Sequence, residues 1–217
     1  MNFLVNLMAR MASGAATIAA GASHPQSNQL LEDFLERCRK MNQPKVLELG
    51  TKRLYEHRRT KHDAWIPNAG EYLGTDFQDG TDVDIVADVH RLSETCGVEQ
   101  FDVIISCSTF EHFKYPHVAA REIMKTLKIG GILFIQTHQT YPIHGVPCDY
   151  YRFSREALAS LFPPPMNFKV ISTDYEFPVR QFARNAPVCL MRSFMNVRLL
   201  GEKTGSTPNE FIYEFES

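Results

Sequence analysis

The chain has 217 residues, enough for one generous domain with a real core. It is 44% hydrophobic and 22% charged with a formal net charge of −2, so it lacks the basic excess that a nucleic-acid groove needs. Five cysteines without a CxxC pair argue against a disulfide framework or a zinc site and for a reducing cytoplasm.

Residues 1–25 are apolar and rich in small side chains, but Arg10 interrupts them, and charge and apolar run come in the wrong order for a signal peptide. The uninterrupted stretch is too short to span a bilayer. We therefore read an N-terminal arm, disordered or helical, without stable membrane insertion. A single domain is expected over 26–217. From Gln26, the spacing of Leu30, Leu31, Phe34 and Leu35 predicts a helix, with Ser27 or Asn28 as its cap. Short apolar runs follow at 45–49, 71–76, 83–89, 101–108 and 131–137, several nearly continuous in Val, Ile and Leu, as strands covered on both faces require.

Between the last two runs, Val118, Ile123, Met124 and Leu127 form a stripe that predicts a helix, ended by Gly130 and Gly131. Strand, helix, strand at this spacing is a βαβ unit, and a parallel sheet follows. Ser154 is placed to cap a short helix over 154–162, which three prolines from Pro163 stop. The tail then carries two β-rich runs, 168–177 and 188–200, that read as an antiparallel pair.

The first strand ends at Glu48-Leu49-Gly50 and the second at Asp76. In a doubly wound sheet ligands sit outside these carboxyl ends. A glycine there lets the backbone come close to a ligand, and a carboxylate suits a pair of ribose hydroxyls. A pyrophosphate needs a GxGxxG cradle, and Thr51, Lys52 and Arg53 stand where its later glycines would be. A nicotinamide oxidoreductase is thereby disfavoured relative to a nucleoside cofactor without phosphates.

Glu48-Leu49-Gly50, Asp76, "ADVHRL", "FDVIISCSTFEH" and "LKIGGILFIQTH" resemble, in order and spacing, the successive motifs of class I S-adenosylmethionine-dependent methyltransferases. "YPIHGVPCDYYRFSREAL", Tyr141 to Leu158, is similar to a methyltransferase type 11-like bacterial branch often associated with glycan-assembly functions, whose short first motif also lacks the later glycines. The resemblance implies an α/β, Rossmann-like fold. Its seven-stranded, mostly parallel sheet would run in the order 3-2-1-4-5-7-6, with helices on both faces and an antiparallel C-terminal hairpin. It implies S-adenosyl-L-methionine as cofactor. Gly50 and Thr51 would lie at the amino-acid part, with Glu48 supporting their loop. Asp76 would take the ribose hydroxyls, and Phe77 would lie against the adenine. Asp88 and Val89 would meet the adenine edge, while Cys107 and Ser108 would line the methionine side. Lys52 or Arg53 would balance the methionine carboxylate, unless both are a solvated pair on a first helix.

A hydroxyl acceptor is a weak acid and benefits from a base or a cation. His144 and His112 are the candidate catalytic residues. His138, Tyr150 and Arg152 are candidates for the substrate, with Arg152 equally able to brace its loop through Asp149. Glu111-His112 resembles the end of an ExxEH metal element, but Ser108 stands at its first position, so no metal site is expected and Glu111 reads as a helix cap. The expected enzyme is cytoplasmic and methylates oxygen on a small-molecule acceptor, a saccharide or another small hydroxylated compound, with a homodimer allowed. The alternative is a non-catalytic, cofactor-binding partner subunit in a glycan- or lipid-assembly complex.

Overall fold

The computed structural model describes residues 28–181, 191–208 and 211–213; the N-terminal arm, Ser27 and Cys189 lie outside them. The chain runs α1 (Gln29–Arg39), β1 (Lys45–Leu49), β2 (Glu71–Asp76), β3 (Ile85–Val86), α2 (Leu92–Cys96), β4 (Phe101–Cys107) and α3 (Pro116–Thr126). It continues through β5 (Leu127–His138), α4 (Arg155–Ser160), β6 (Phe168–Gln181) and β7 (Met191–Lys203). The seven strands form one sheet in the expected order, β3-β2-β1-β4-β5-β7-β6. The first five are mutually parallel, and β7 runs antiparallel to both β5 and β6.

Strand alternation divides the interior into two cores. Leu47, Leu49, Ile104 and Leu133 point to the face covered by α2, α3 and α4. Val46, Val103, Ile105 and Phe134 point to the other, covered by α1 through Leu30, Phe34 and Cys38. Phe34 stacks on Phe134 with ring centroids 4.7 Å apart, which fixes α1 against the middle of the sheet. Trp65 meets the edge of the same Phe134 ring, on the stretch just before β2.

Two expectations give way to tertiary structure. Helix α3 ends at Thr126, before the glycine pair. Leu127 is fully buried and already pairs with Phe101, and the ladder then shifts register to Val103 opposite Ile132, so Gly130 and Gly131 fall in the irregular stretch of β5. No helix follows β1 either: residues 51–62 run as a loop to a short 3-10 turn at Asp63–Trp65. That loop is tied to the segment before β3. The Thr51 hydroxyl donates to the Asp82 carbonyl (2.7 Å), and the Arg53 guanidinium forks onto the Asp82 carboxylate at 2.7 and 2.9 Å.

At α1, Asn28 occupies the cap position but its side chain makes no cap bond; its Oδ1 accepts instead from Arg198 (3.1 Å). Ser154 does cap α4, accepting from the Ala157 N–H at 3.0 Å. Ser154→Ala is expected to cost about 1 kcal/mol, read as a lower urea midpoint at constant m-value. Among the described residues, no helix is long and apolar enough to cross a membrane.

Candidate active site

Because β1, β2, β4 and β5 are parallel, their carboxyl ends share one edge of the sheet. Glu48, Gly50, Asp76, Ser108 and His138 therefore lie along that edge, as chain direction requires. The cofactor candidates gather on its β1–β3 side. Asp76 Oδ2 accepts from the Lys52 N–H (3.3 Å) and Oδ1 from the Gln78 N–H (3.0 Å), which aims the carboxylate over the β1 turn. Phe77 beside it is 66% exposed. Asp88 accepts from the backbone N–H of His90 at 2.9 Å and faces its Nδ1 at 2.7 Å. Burial works against its charge, but the His90 contacts outweigh that and hold the carboxyl below the usual range.

Glu48 is almost wholly buried and ties the loop down by accepting from the His62 N–H (2.8 Å) and the Tyr72 hydroxyl (2.7 Å). His62 Nδ1 faces its second oxygen at 2.5 Å. Cys107 is close to both Glu48 and His62. Burial first, then the carboxylates of Glu48, Glu176 and Glu111, push its thiol well above the ordinary range, which disfavours the thiolate. Ser108 is exposed, with φ at +51°.

Several candidates are placed differently from the expectation. Thr51 is fully buried, and its N–H, hydroxyl and carbonyl all bond within the protein, to Thr75, Asp82 and Thr60. Gly50 has φ +74°, yet what comes close to it is Thr109: a Cβ on Gly50 would lie 2.3 Å from the threonine Oγ1. Val89 packs half-buried against the core. Lys52 Nζ donates to Gln78 Oε1 at 2.8 Å while Arg53 is neutralised by Asp82, so neither rides on a helix. An adenosine fits the donor set that remains. Asp76 and Asp88 keep lone pairs beyond the N–H groups they already accept from, and Phe77 presents a bare ring.

The other half of the edge is built around Glu111, which follows β4 and is completely buried. Its Oε2 accepts from the Thr137 hydroxyl at 2.6 Å, and its backbone carbonyl accepts from the N–H groups of Tyr150 and Tyr151. Its Oε1 has no hydrogen-bond donor among the described residues. Around that oxygen stand three imidazole Nε2 atoms, of His138 at 3.0 Å and of His112 and His144 at 3.8 Å each. Burial lowers the pKa of His138, ahead of the opposing pull of Glu111. Tyr141 stacks on His138 with centroids 4.1 Å apart, and the ring of His112 fits against Gly145, whose φ is +61°.

Arg152 is a brace, which corrects its assignment to the substrate. Its five N–H donors go to both oxygens of Asp149 and to the carbonyls of Tyr141, Pro142 and Tyr151. Arg152 in turn holds the Asp149 carboxyl far below the usual range. His138 lies under Tyr141 and is only 6% exposed, whereas Tyr150 is 42% exposed at the rim. Glu111 is not a helix cap but the centre of this cluster. The sequence did mark it, as the Glu-His pair after β4, while nothing local marked Asn196, which lies against His138 from β7.

Residues 66–135 match the methyltransferase domain family model; the match spans Asp76, Asp88 and Glu111 and stops short of His138. No curated protein matches the chain. Among solved structures it is similar to a protein from Bacillus halodurans assigned as a methyltransferase, at 10% identity and TM-score 0.58 over 81% of this chain and 99% of that one. It is also similar to a SAM-dependent methyltransferase from Archaeoglobus fulgidus, at 11% identity and TM-score 0.56 over 80% and 91%. A third is a chain from the complex of the Haloferax volcanii Trm112 methyltransferase activator with a candidate methyltransferase, at 19% identity and TM-score 0.52 over 81% and 89%. These likenesses speak for the fold. With the family match over residues 66–135 laid on that fold, the chain is similar to the class I methyltransferases that use S-adenosylmethionine.

Proposed function

We propose that the enzyme methylates an oxygen of a small hydroxylated acceptor, a saccharide above all. The observation that supports this is the convergence of His112, His138 and His144 on Glu111, at the end of the sheet edge beyond the cofactor candidates. An amine acceptor needs no such cluster, because its lone pair is available once it is deprotonated. A hydroxyl does need a base or a cation. The exposed faces of Tyr141 and Tyr150 suit a sugar ring at the rim.

S-adenosylmethionine supplies an activated methyl group and a neutral sulfur leaving group. The protein's part is alignment, exclusion of water and handling of one proton. Asp76, Phe77 and Asp88 hold the adenosine. The cofactor would supply the methyl group to the acceptor oxygen, and the chain's own task would be to take the hydroxyl proton on an imidazole. His144 and His112, both half-exposed, are the two imidazoles an acceptor can reach. Buried His138 orients the group from beneath.

Turnover across a panel of sugars, phenols and amines tests the reading, with methyl transfer expected to hydroxyl acceptors. Transfer confined to amines overturns it, and so does cofactor binding without turnover on any acceptor. Asp76→Ala is expected to weaken S-adenosylmethionine binding by at least about 1 kcal/mol, seen by calorimetry on protein whose circular dichroism is unchanged.

A further inference from the structure

We propose that Glu111, His138 and His144 form a binding site for one divalent transition-metal ion, Zn²⁺ in the first place, with His112 beside its open position. The inference deepens the reading above by placing a Lewis acid where the acceptor hydroxyl is activated, but it rests on hydrogen bonds rather than on methyl transfer.

The hydrogen bonds fix the three tautomers. His112 Nδ1 lies 2.7 Å from the Cys148 carbonyl, which can only accept. His144 Nδ1 lies 3.1 Å from the Pro142 carbonyl and 3.4 Å from the ionised Asp149, again both acceptors. His138 Nδ1 lies 3.1 Å from Asn196 Oδ1. Turning that amide over would set its oxygen against Glu176 Oε2, where Asn196 Nδ2 now stands at 3.4 Å, so the orientation is held. Each neutral imidazole therefore carries its proton on Nδ1 and presents the Nε2 lone pair.

All three Nε2 atoms stand within 3.8 Å of the Glu111 oxygen that has no donor among the described residues. Electron-rich atoms gathered this closely around a buried anion repel unless a positive charge lies among them. The spacing suits an ion. Oε1 stands 3.0 and 3.8 Å from the Nε2 atoms of His138 and His144, and the edge of a tetrahedron with centre-to-ligand bonds of about 2.0–2.1 Å is roughly 3.3 Å. Imidazole with one carboxylate selects Zn²⁺ or a neighbouring first-row ion over Mg²⁺, which prefers oxygens and water. A donated Nδ1–H to a carbonyl, amide or carboxylate oxygen is also the arrangement that orients metal-bound histidines. With three protein ligands, one position stays open on the half-exposed side, as in catalytic rather than structural sites. With an ion bound, His144 coordinates, the acceptor oxygen takes the open position, and its proton passes to His112.

Chelator-stripped full-length protein, titrated with Zn²⁺ by calorimetry and with Co²⁺ by visible absorption, tests the site. One ion per chain is expected, with Mg²⁺ giving no comparable heat. Glu111→Gln and His144→Gln are each expected to weaken Zn²⁺ at least about tenfold; the second replaces a half-exposed loop residue and serves if the first does not fold. Asp76→Ala is expected to leave Zn²⁺ binding intact, so failure of the metal site and failure of the methyltransferase reading are told apart. Absence of saturable Zn²⁺ binding overturns the proposal, as does binding that neither variant alters. So does nitrogen NMR showing His138 or His144 doubly protonated at neutral pH after Zn²⁺ is supplied, because an imidazolium then balances Glu111.

Discussion

Arg198→Met is expected to lower stability by about 3 kcal/mol or more. The guanidinium is 1% exposed. It meets Asp174 at 2.8 and 2.7 Å and Glu176 at 3.0 Å, and it reaches the start of α1 through Asn28. Methionine fills most of the volume but leaves Glu176 buried without its countercharge. Asp174 is more exposed and is rehydrated, so its share is smaller. Urea unfolding reads the loss directly. The double change Arg198→Met with Glu176→Gln should recover part of it, since the buried charge then goes with its partner. Equal stability of wild type and Arg198→Met would mean that the pair contributes nothing.

Gly50→Ala is expected to cost about 2–4 kcal/mol and to weaken S-adenosylmethionine binding at the same time. Two separate penalties combine. A φ of +74° strains any residue with a Cβ, and the new methyl would collide with Thr109 Oγ1 and Cγ2 at 2.3 and 2.4 Å. Thr109→Ala in the same chain removes the second penalty but not the first. Partial recovery of the urea midpoint in the double variant is therefore the expected result, and full recovery would show that the backbone carries no strain. The turn carries the Lys52 N–H that aims Asp76, so cofactor affinity should follow the same partial recovery.

The central sheet was readable because its strands are covered on both faces. The runs 45–49 and 71–76 coincide with β1 and β2, and the order of strands agrees with the family resemblance. Where sequence and structure part, a distant contact overrides a local preference. Leu127 reads as the last residue of a helical stripe, yet its pairing with Phe101 draws it into β5. Lys52 and Arg53 were open to reading as a solvated pair on a first helix, yet the bonds of Thr51 and Arg53 to Thr75, Thr81 and Asp82 keep this stretch in a loop.

The histidines of the candidate site could be picked out because they follow the ends of β4 and β5. Their common focus could not. Glu111 becomes a centre only when Thr137, Asp149 and Asn196, from three other segments, are in place to turn each ring and carboxylate oxygen. Arg152 was legible both as a fork for an acidic sugar and as a brace; which of these holds depends on Tyr141 and Pro142, whose carbonyls no periodicity reveals.

The order of the sheet bears on how the chain is made. β7 lies between β5 and β6, so both of these earlier strands leave the ribosome with an open flank and wait for a neighbour that has not yet been synthesised. Asn196 and Arg198 travel on that late strand, so the imidazole of His138 gains its partner in the same event that joins the hairpin to the sheet. A nascent chain halted before residue 191 would already carry Glu111 and its three histidines but lack Asn196 against His138, with two unpaired strands exposed to aggregation.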